Sequence, residues 1–194
     1  MRTTSPARSY AAQCKAREAA LITLLADPPS LHLATAVAMG SNPGRSAVAV
    51  TAFGDYEDEV PMTIVFRGRL TSSEAAWAAI DYAMNIVDTQ IHGRAVTLHT
   101  SDWDVARVAN MPRYPKPMLP ARNEDVRRRV IESILRTGSL VLWTRIREGE
   151  TAEIYTENPL SDLGELPTRW VRVAQAAARG ALRTALKEGR AAKR

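Results

Sequence analysis

The chain has one cysteine and three histidines in 194 residues. Cys14 alone cannot form a disulfide within the chain, and it excludes a zinc site built from several cysteines. No apolar run approaches the roughly 18 residues that a membrane-spanning helix requires, and no apolar segment follows the amino-terminal arginine as in a secretory signal. We therefore expect a globular, cytoplasmic protein of one main domain.

Several motifs that mark enzymes are absent as well. The sequence has no GxxxxGK[ST] phosphate loop, no GxGxxG, no GxSxG and no HExxH. His32, His92 and His99 lack the spacing of metal ligands, so we interpret them as surface or strand histidines. Cys14 has no histidine near it in sequence, which makes it a poor candidate nucleophile.

Positive charge is gathered in two segments. The net charge of +5 comes from 26 basic and 21 acidic residues. Residues 166–194 contain eight basic residues and one acid, and residues 105–130 contain seven basic residues and two acids. Two such segments indicate a polyanionic partner. The alternative is an ordinary solvated surface, since 22 of the 26 basic residues are arginine.

Hydrophobic periodicity and turn residues predict ten elements. We predict helices over 5–26, 72–87, 103–110, 124–136 and 167–189, and strands over 30–39, 46–53, 61–68, 94–100 and 139–146. The first three strands are joined by short loops and favour an antiparallel meander. The helix before the fourth strand implies a parallel crossover. The expected fold is α/β, with a mixed five-stranded sheet flanked by helices.

Two carboxylates are candidate metal ligands or catalytic residues. Glu74 lies in the first turn of the 72–87 helix, and Asp102 follows the fourth strand. Acids at a strand end and on a nearby helix can converge on divalent cations, and two such ions support phosphodiester hydrolysis. Both residues also suit a structural role, because acids favour helix amino termini and aspartate is a good helix cap. Both interpretations stay open.

The order of elements over roughly residues 30–182 resembles the ribonuclease H family. The local matches are Asn42-Pro43-Gly44 in the first hairpin, Thr100-Ser101-Asp102 after the fourth strand, residues 125–135, and residues 169–178 with their alanine run. The resemblance implies a ribonuclease H-like domain over 28–189. Residues 1–27 would be a helical extension and residues 190–194 a basic tail.

The resemblance also implies a site. It places Glu74 and Asp102 as catalytic residues and as ligands of Mg²⁺ or Mn²⁺, with Asp104 as a possible third ligand. Two acids of the family are missing. Ala36 stands in place of the acid on the first strand, and the acid of the last helix would stand near Val171. The loop 147–158 has no histidine where many members have a catalytic one. With two of four acids in place, we expect impaired hydrolysis unless Asp104, Asp162 or Glu165 substitutes.

Three functions remain open. The first is a ribonuclease H-like protein that binds an RNA–DNA hybrid or a duplex and is impaired as an enzyme. The second is an active metal-dependent endoribonuclease that cuts RNA in RNA–DNA hybrids. The third is a protein–protein assembly module that uses the helices 5–26 and 167–189. We predict that nucleic acid is contacted by Asn42, Arg45, Arg113, Lys116, Arg122, Arg172, Arg179 and Arg183, with Trp103 and Tyr114 as candidates for base stacking.

Overall fold

The order of elements in a computed structural model of the chain matches the predicted one. The structure describes residues 6–53, 61–111, 123–144 and 166–191. The elements are α1 (Pro6–Ala26), β1 (His32–Met39), β2 (Gly44–Phe53), β3 (Met62–Leu70), α2 (Ser72–Gln90), β4 (Thr97–Thr100), α3 (Trp103–Ala109), α4 (Glu124–Thr137), β5 (Leu140–Trp143) and α5 (Leu166–Ala191). None of these helices has an apolar stretch long enough to cross a bilayer.

The five strands form one mixed sheet in the order β3-β2-β1-β4-β5. The meander β1-β2-β3 is antiparallel, whereas β1 pairs with β4 and β4 with β5 in parallel. The β1–β4 pairing ends with Thr35 opposite Thr100. The predicted α/β fold with a mixed five-stranded sheet is thus confirmed, and α2 supplies the crossover that parallel pairing requires.

One face of the sheet is covered by α2, α3 and α4 over the larger core. Buried α2 side chains such as Trp77, Ile80 and Met84 pack there with Leu33 and Leu98. Helix α2 begins at a capping box, in which Thr71 and Glu74 each bond the other's backbone N–H. That exchange satisfies two amide donors at the helix start and so fixes where α2 begins.

Among the described residues, α5 covers the other face of the sheet. Small side chains meet there: Ala36 and Ala47 on the strands pack with Ala174, Ala178 and Leu182 of the helix. Alanine on both sides lets the helix lie close to the sheet, because no long side chain holds the two backbones apart. The opposite side of α5 is therefore turned to solvent.

Beneath the start of α5 lies a buried aromatic cluster. His32 Nδ1 and His99 Nε2 are 3.1 Å apart, and the Phe53 ring stacks on both His32 and Trp170. Burial lowers the pKa of His99 to about 3, with a further contribution from a charge on His32. Burial also lowers the pKa of His32. Both rings are strand histidines, as predicted, and the pair is neutral at pH 7.

Helix α1 is attached to this body through Arg17. Its guanidinium Nε donates to the Asn110 carbonyl at 3.0 Å and its Nη2 to the Ser139 carbonyl at 3.5 Å. These carbonyls follow the carboxyl ends of α3 and α4, where the helix dipoles are negative. Much of α1 is otherwise solvent-facing, including Ile22, which is 65% exposed.

Candidate functional site

A cleft of about 270 Å³ opens where β1 and β4 end beneath the start of α2. The carboxyl ends of neighbouring parallel strands commonly form ligand sites in α/β proteins. Residues from both strands, from the segment after β4 and from one side of α2 line it: Thr35, Ala36, Val37, Met39, Ser72, Ala76, Ala79, Thr100, Ser101 and Asp102. Among these described lining residues, Asp102 has the only carboxylate.

Glu74 is not part of this lining. The α2 residues that face the cleft are Ser72, Ala76 and Ala79, spaced as one side of a helix. Glu74 lies about 200° around the helix axis from Ser72 and from Ala76. Its Oε2 accepts hydrogen bonds from the Thr71 amide at 2.7 Å and from the Thr71 hydroxyl at 3.0 Å. The side chain is engaged at the helix cap.

Asp102 lines the cleft but also caps α3. Its Oδ1 accepts the Val105 amide at 2.9 Å, and its own amide donates to the Thr100 hydroxyl at 3.3 Å. Asp104 is an exposed residue that pairs with Arg107 at 3.4 Å. The structural roles foreseen for Glu74 and Asp102 are thus both present. The ligand roles of Glu74, Asp102 and Asp104 stay predictions.

Strand register shows which residues stand side by side in the cleft. Ala36 and Ser101 are the residues that follow the Thr35–Thr100 pair, and both line the cleft. The Thr-Ser-Asp order therefore puts a hydroxyl next to Ala36, with the carboxylate one residue further along. This consequence of residue order was missed from the sequence, although the pairing of the two threonines would have revealed it.

The side chains that line the cleft do not supply the ligands that a pair of divalent cations requires. Hard cations need several oxygen ligands, chiefly carboxylates. Alanines and hydroxyls line most of the cleft, and the Asp102 carboxylate already accepts an amide. Val171 on α5 is fully buried with Ala34, Phe53 and Trp170. In the described ranges, no three His, Cys, Asp or Glu side chains are grouped to hold a metal.

Asn42 and Arg45 both belong to the β1–β2 hairpin but contact different helices. Asn42 Oδ1 accepts the Ser72 amide at 3.1 Å, and its Nδ2 donates to the Ser72 hydroxyl at 3.3 Å, so Asn42 holds the start of α2. Arg45 lies beside Gly189 in the last turns of α5. Asn42 is therefore next to the cleft, whereas Arg45 adjoins α5.

The described basic side chains of α5 are exposed and have no ion-pair partner among the described residues. Arg169, Arg172, Arg179, Arg183 and Lys187 all face solvent. Within the part of the chain that the structure describes, none of them lies within 4 Å of a carboxylate. Arg172, Arg179 and Arg183 thus have the exposure that contact with phosphates would require.

The arginines of α4 are arranged differently. Arg128 pairs with Asp125, Arg129 with Asp81 and Arg136 with Asp88, at 2.6 to 2.7 Å. Asp81 raises the pKa of Arg129 by a hydrogen bond and by its charge. Arg127 donates to the Ser73 hydroxyl and lies over the Trp77 ring. This part of the basic segment 105–130 is engaged within the molecule.

Among the described residues, Trp103 is an exposed aromatic residue next in sequence to the cleft lining. It follows Asp102 directly, is 52% exposed, and lies beneath the Arg107 guanidinium at 5.2 Å. The sequence left both stacking on bases and packing on the sheet open for this residue. Arg113, Tyr114, Lys116, Arg122, Asp162 and Glu165 lie outside the described residues.

Known proteins resemble the chain in structure. No protein-family model and no curated sequence matches it. LC11-RNase H1, isolated from compost by a metagenomic approach, aligns over 79% of this chain and 98% of its own, with 14% identity and a TM-score of 0.53. The same enzyme in complex with an RNA/DNA hybrid aligns over 63% and 88%, with 16% identity and a TM-score of 0.48.

A third structure, RNase H1 from the halophilic archaeon Halobacterium salinarum, aligns over 61% of this chain and 86% of its own. Its identity is 19% and its TM-score 0.44. The first alignment, together with the strand order, shows that the chain has a ribonuclease H-like fold. The fold that the sequence resemblance implied is confirmed.

Proposed function

We propose that this chain, with its ribonuclease H-like fold, is a nucleic-acid-binding protein that holds an RNA–DNA hybrid or a duplex and is impaired in hydrolysis. The observation that supports binding is the row of exposed cations on α5 with no carboxylate within 4 Å in the described ranges. Unpaired arginines attract phosphates and release counterions when they bind them. Such contacts are independent of base sequence.

The impairment rests on the composition of the cleft. Hydrolysis by a pair of divalent cations needs ligands that hold both ions and orient an attacking water. Around this cleft, Ala36, Ala76 and Ala79 offer no ligand atom in their side chains, and Ser101 offers a neutral hydroxyl. One carboxylate attracts a hard cation far less than a set of three or four does.

A cleavage assay decides between the impaired and the active protein. Purified protein is incubated with a labelled RNA–DNA hybrid and with Mg²⁺ or Mn²⁺, and we expect no cleavage above background. Cleavage that disappears in both Glu74→Gln and Asp102→Asn would establish the active endoribonuclease instead. Glutamine suits a capping box and asparagine suits a helix cap, so both variants keep the structural roles of the native acids.

Binding is tested separately from cleavage. Fluorescence anisotropy with a labelled 20-base-pair hybrid, without divalent cations, should show saturable binding at low salt. Absence of binding at about 50 mM salt, where phosphate contacts are strong, would contradict the proposal. Cleavage without dependence on Glu74 or Asp102 would indicate a contaminating nuclease, which a second purification step removes, or another catalytic site.

A further inference from the structure

We propose that the solvent side of α5 is a binding surface for the backbone of a double-stranded nucleic acid, separate from the cleft and indifferent to the sugar. We define this α5 surface by Arg172, Arg179, Arg183 and Lys187, extended by Arg45. The inference rests on the proposed function, because it specifies where and how nucleic acid is held.

The four α5 cations form a nearly straight row. They are spaced by seven, four and four residues, so at 100° per residue they stay within an arc of about 80°. From Arg172 to Lys187 the helix rises about 22 Å. Along a duplex this length corresponds to roughly six phosphates of one strand. A row of this straightness and length can follow one strand or bridge the two strands across a groove.

Nothing in the described structure neutralises the row. The acid of α5, Glu188, lies about 100° around the helix from Lys187, the nearest cation of the row, and the two are not within 4 Å of each other in the described structure. Between the cations the exposed residues include Ala176, Gly180 and Thr184, which are small, and Val173, which is apolar. A bulky or acidic side chain at these positions would hold a polyanion away, whereas small ones let a backbone approach the guanidinium groups.

Arg45 is an exposed cation beside the last turns of α5, on the sheet-facing side of the helix, because Gly189 lies five full turns from the buried Val171. A Cβ built on Gly189 would lie 3.0 Å from an Arg45 guanidinium nitrogen, so the arginine occupies space that glycine leaves open. The carbonyl end of α5 is also the negative end of its dipole, which favours a cation there. This contact joins the end of α5 to the β1–β2 hairpin.

The α5 surface shares no residue with the lining of the cleft. Helix α5 packs on the alanines of β1 and β2, while α2 and the larger core cover the opposite face. A duplex along α5 is therefore contacted through phosphates by cations that cannot recognise the sugar of either strand. An RNA–DNA hybrid and a DNA duplex should bind with affinities within about threefold of each other.

Two triple variants test the surface, each removing three positive charges. The first is Arg172→Gln with Arg179→Gln and Arg183→Gln. The matched control is Arg128→Gln with Arg129→Gln and Arg136→Gln, whose arginines are paired with acids. By anisotropy at about 100 mM salt, the α5 variant should bind hybrid and DNA duplex at least tenfold more weakly than the native protein. The control should change by less than threefold.

The outcomes separate this inference from the proposed function. If both variants weaken binding equally, net charge explains the effect and the α5 surface is refuted. If only the control variant loses affinity, the α5 surface is also refuted. In both cases the proposed function stands. A hybrid bound more than twentyfold tighter than the DNA duplex would overturn the sugar-indifferent mode. If the native protein binds neither ligand, both proposals fail. Circular dichroism melting shows that each variant is folded.

Discussion

Helices α4 and α5 are both rich in arginine, yet they use it in opposite ways. The four arginines of α4 contact acids, a hydroxyl or an aromatic ring, chiefly on α2. The described cations of α5 face solvent without a carboxylate within 4 Å. The arginines of α4 are engaged in contacts within the molecule, whereas the described cations of α5 are exposed to solvent.

The difference arises from acids that are distant in sequence. Asp81 and Asp88 are seven residues apart on α2, and their partners Arg129 and Arg136 are seven apart on α4. Seven residues are close to two helical turns, so two parallel ion pairs connect the helices. Charge counted within a segment does not include partners 48 residues away. A basic segment therefore indicates a ligand surface only after such partners are known.

The largest expected effect is the salt dependence of binding. If about four phosphates are contacted, affinity for a hybrid should fall by roughly 10²-fold between 50 and 200 mM salt. Anisotropy titrations over that range give the slope of log K against log salt. In the Arg172→Gln, Arg179→Gln, Arg183→Gln variant that slope should be shallower by about 2 to 3, because each lost contact removes roughly 0.9.

Removing the α4 charges provides the contrast. The slope of the Arg128→Gln, Arg129→Gln, Arg136→Gln variant should equal that of the native protein. A native affinity that barely changes with salt would show that phosphates are not the main contact. An equal loss of slope in both variants would erase the distinction between α4 and α5.

The next effect concerns the buried pair of His32 and His99, which lies beneath the start of α5 and is uncharged, in contrast to the charged solvent side of that helix. His32 and His99 have lowered pKa values, that of His99 at about 3. The unfolded chain, with a pKa near 6.5, binds protons more readily than the folded one, so stability is full above that pH and declines below it. The unfolding free energy should fall by up to about 1.4 kcal/mol per pH unit for each proton.

Urea unfolding at pH 7.5, 6 and 5 measures this decline. NMR titration of the imidazole protons should show His99 still neutral at pH 5. A His99 resonance that titrates near pH 6.5 would contradict the buried neutral pair.

Local features of the fold were predictable from the sequence, and relations between distant segments were not. The alanine faces of the helices, and the capping residues Thr71 and Glu74, each belong to a single element. The spacing of residues along the chain was therefore enough to predict helix starts and helix faces. The pairing of His32 with His99 and the position of Ser101 beside Ala36 depend on strand register. The cleft position of Ala76 depends on how α2 is rotated. These relations arise from tertiary packing, which short-range patterns do not encode.

A smaller effect tests the stabilising role of α4. Asp88 accepts two hydrogen bonds from Arg136, and both side chains are partly exposed. Exposed pairs contribute about 0.2 to 1 kcal/mol. A double-mutant cycle with Arg136→Gln and Asp88→Asn should give a coupling in that range by urea unfolding. Arg183→Gln on α5 should leave the unfolding free energy unchanged; a loss as large as in α4 would reveal an intramolecular partner.

The smallest effects come from two glycines of α5 with different surroundings. A Cβ on Gly180 would meet no atom within 4 Å, whereas one on Gly189 would meet the Arg45 guanidinium. Alanine is preferred over glycine inside a helix, so Gly180→Ala should raise the unfolding free energy by about 0.5 to 1 kcal/mol and leave binding unchanged. Gly189→Ala lies nearer the helix end and should stabilise less.

Gly189→Ala should instead displace Arg45 and weaken duplex binding by about twofold, since one exposed cation at the edge of the α5 surface changes position. The double variant Gly189→Ala with Arg45→Gln should then bind no worse than Arg45→Gln alone. Additive losses would mean that Gly189 and Arg45 act independently, and the α5 surface would end at Lys187 without reaching the hairpin.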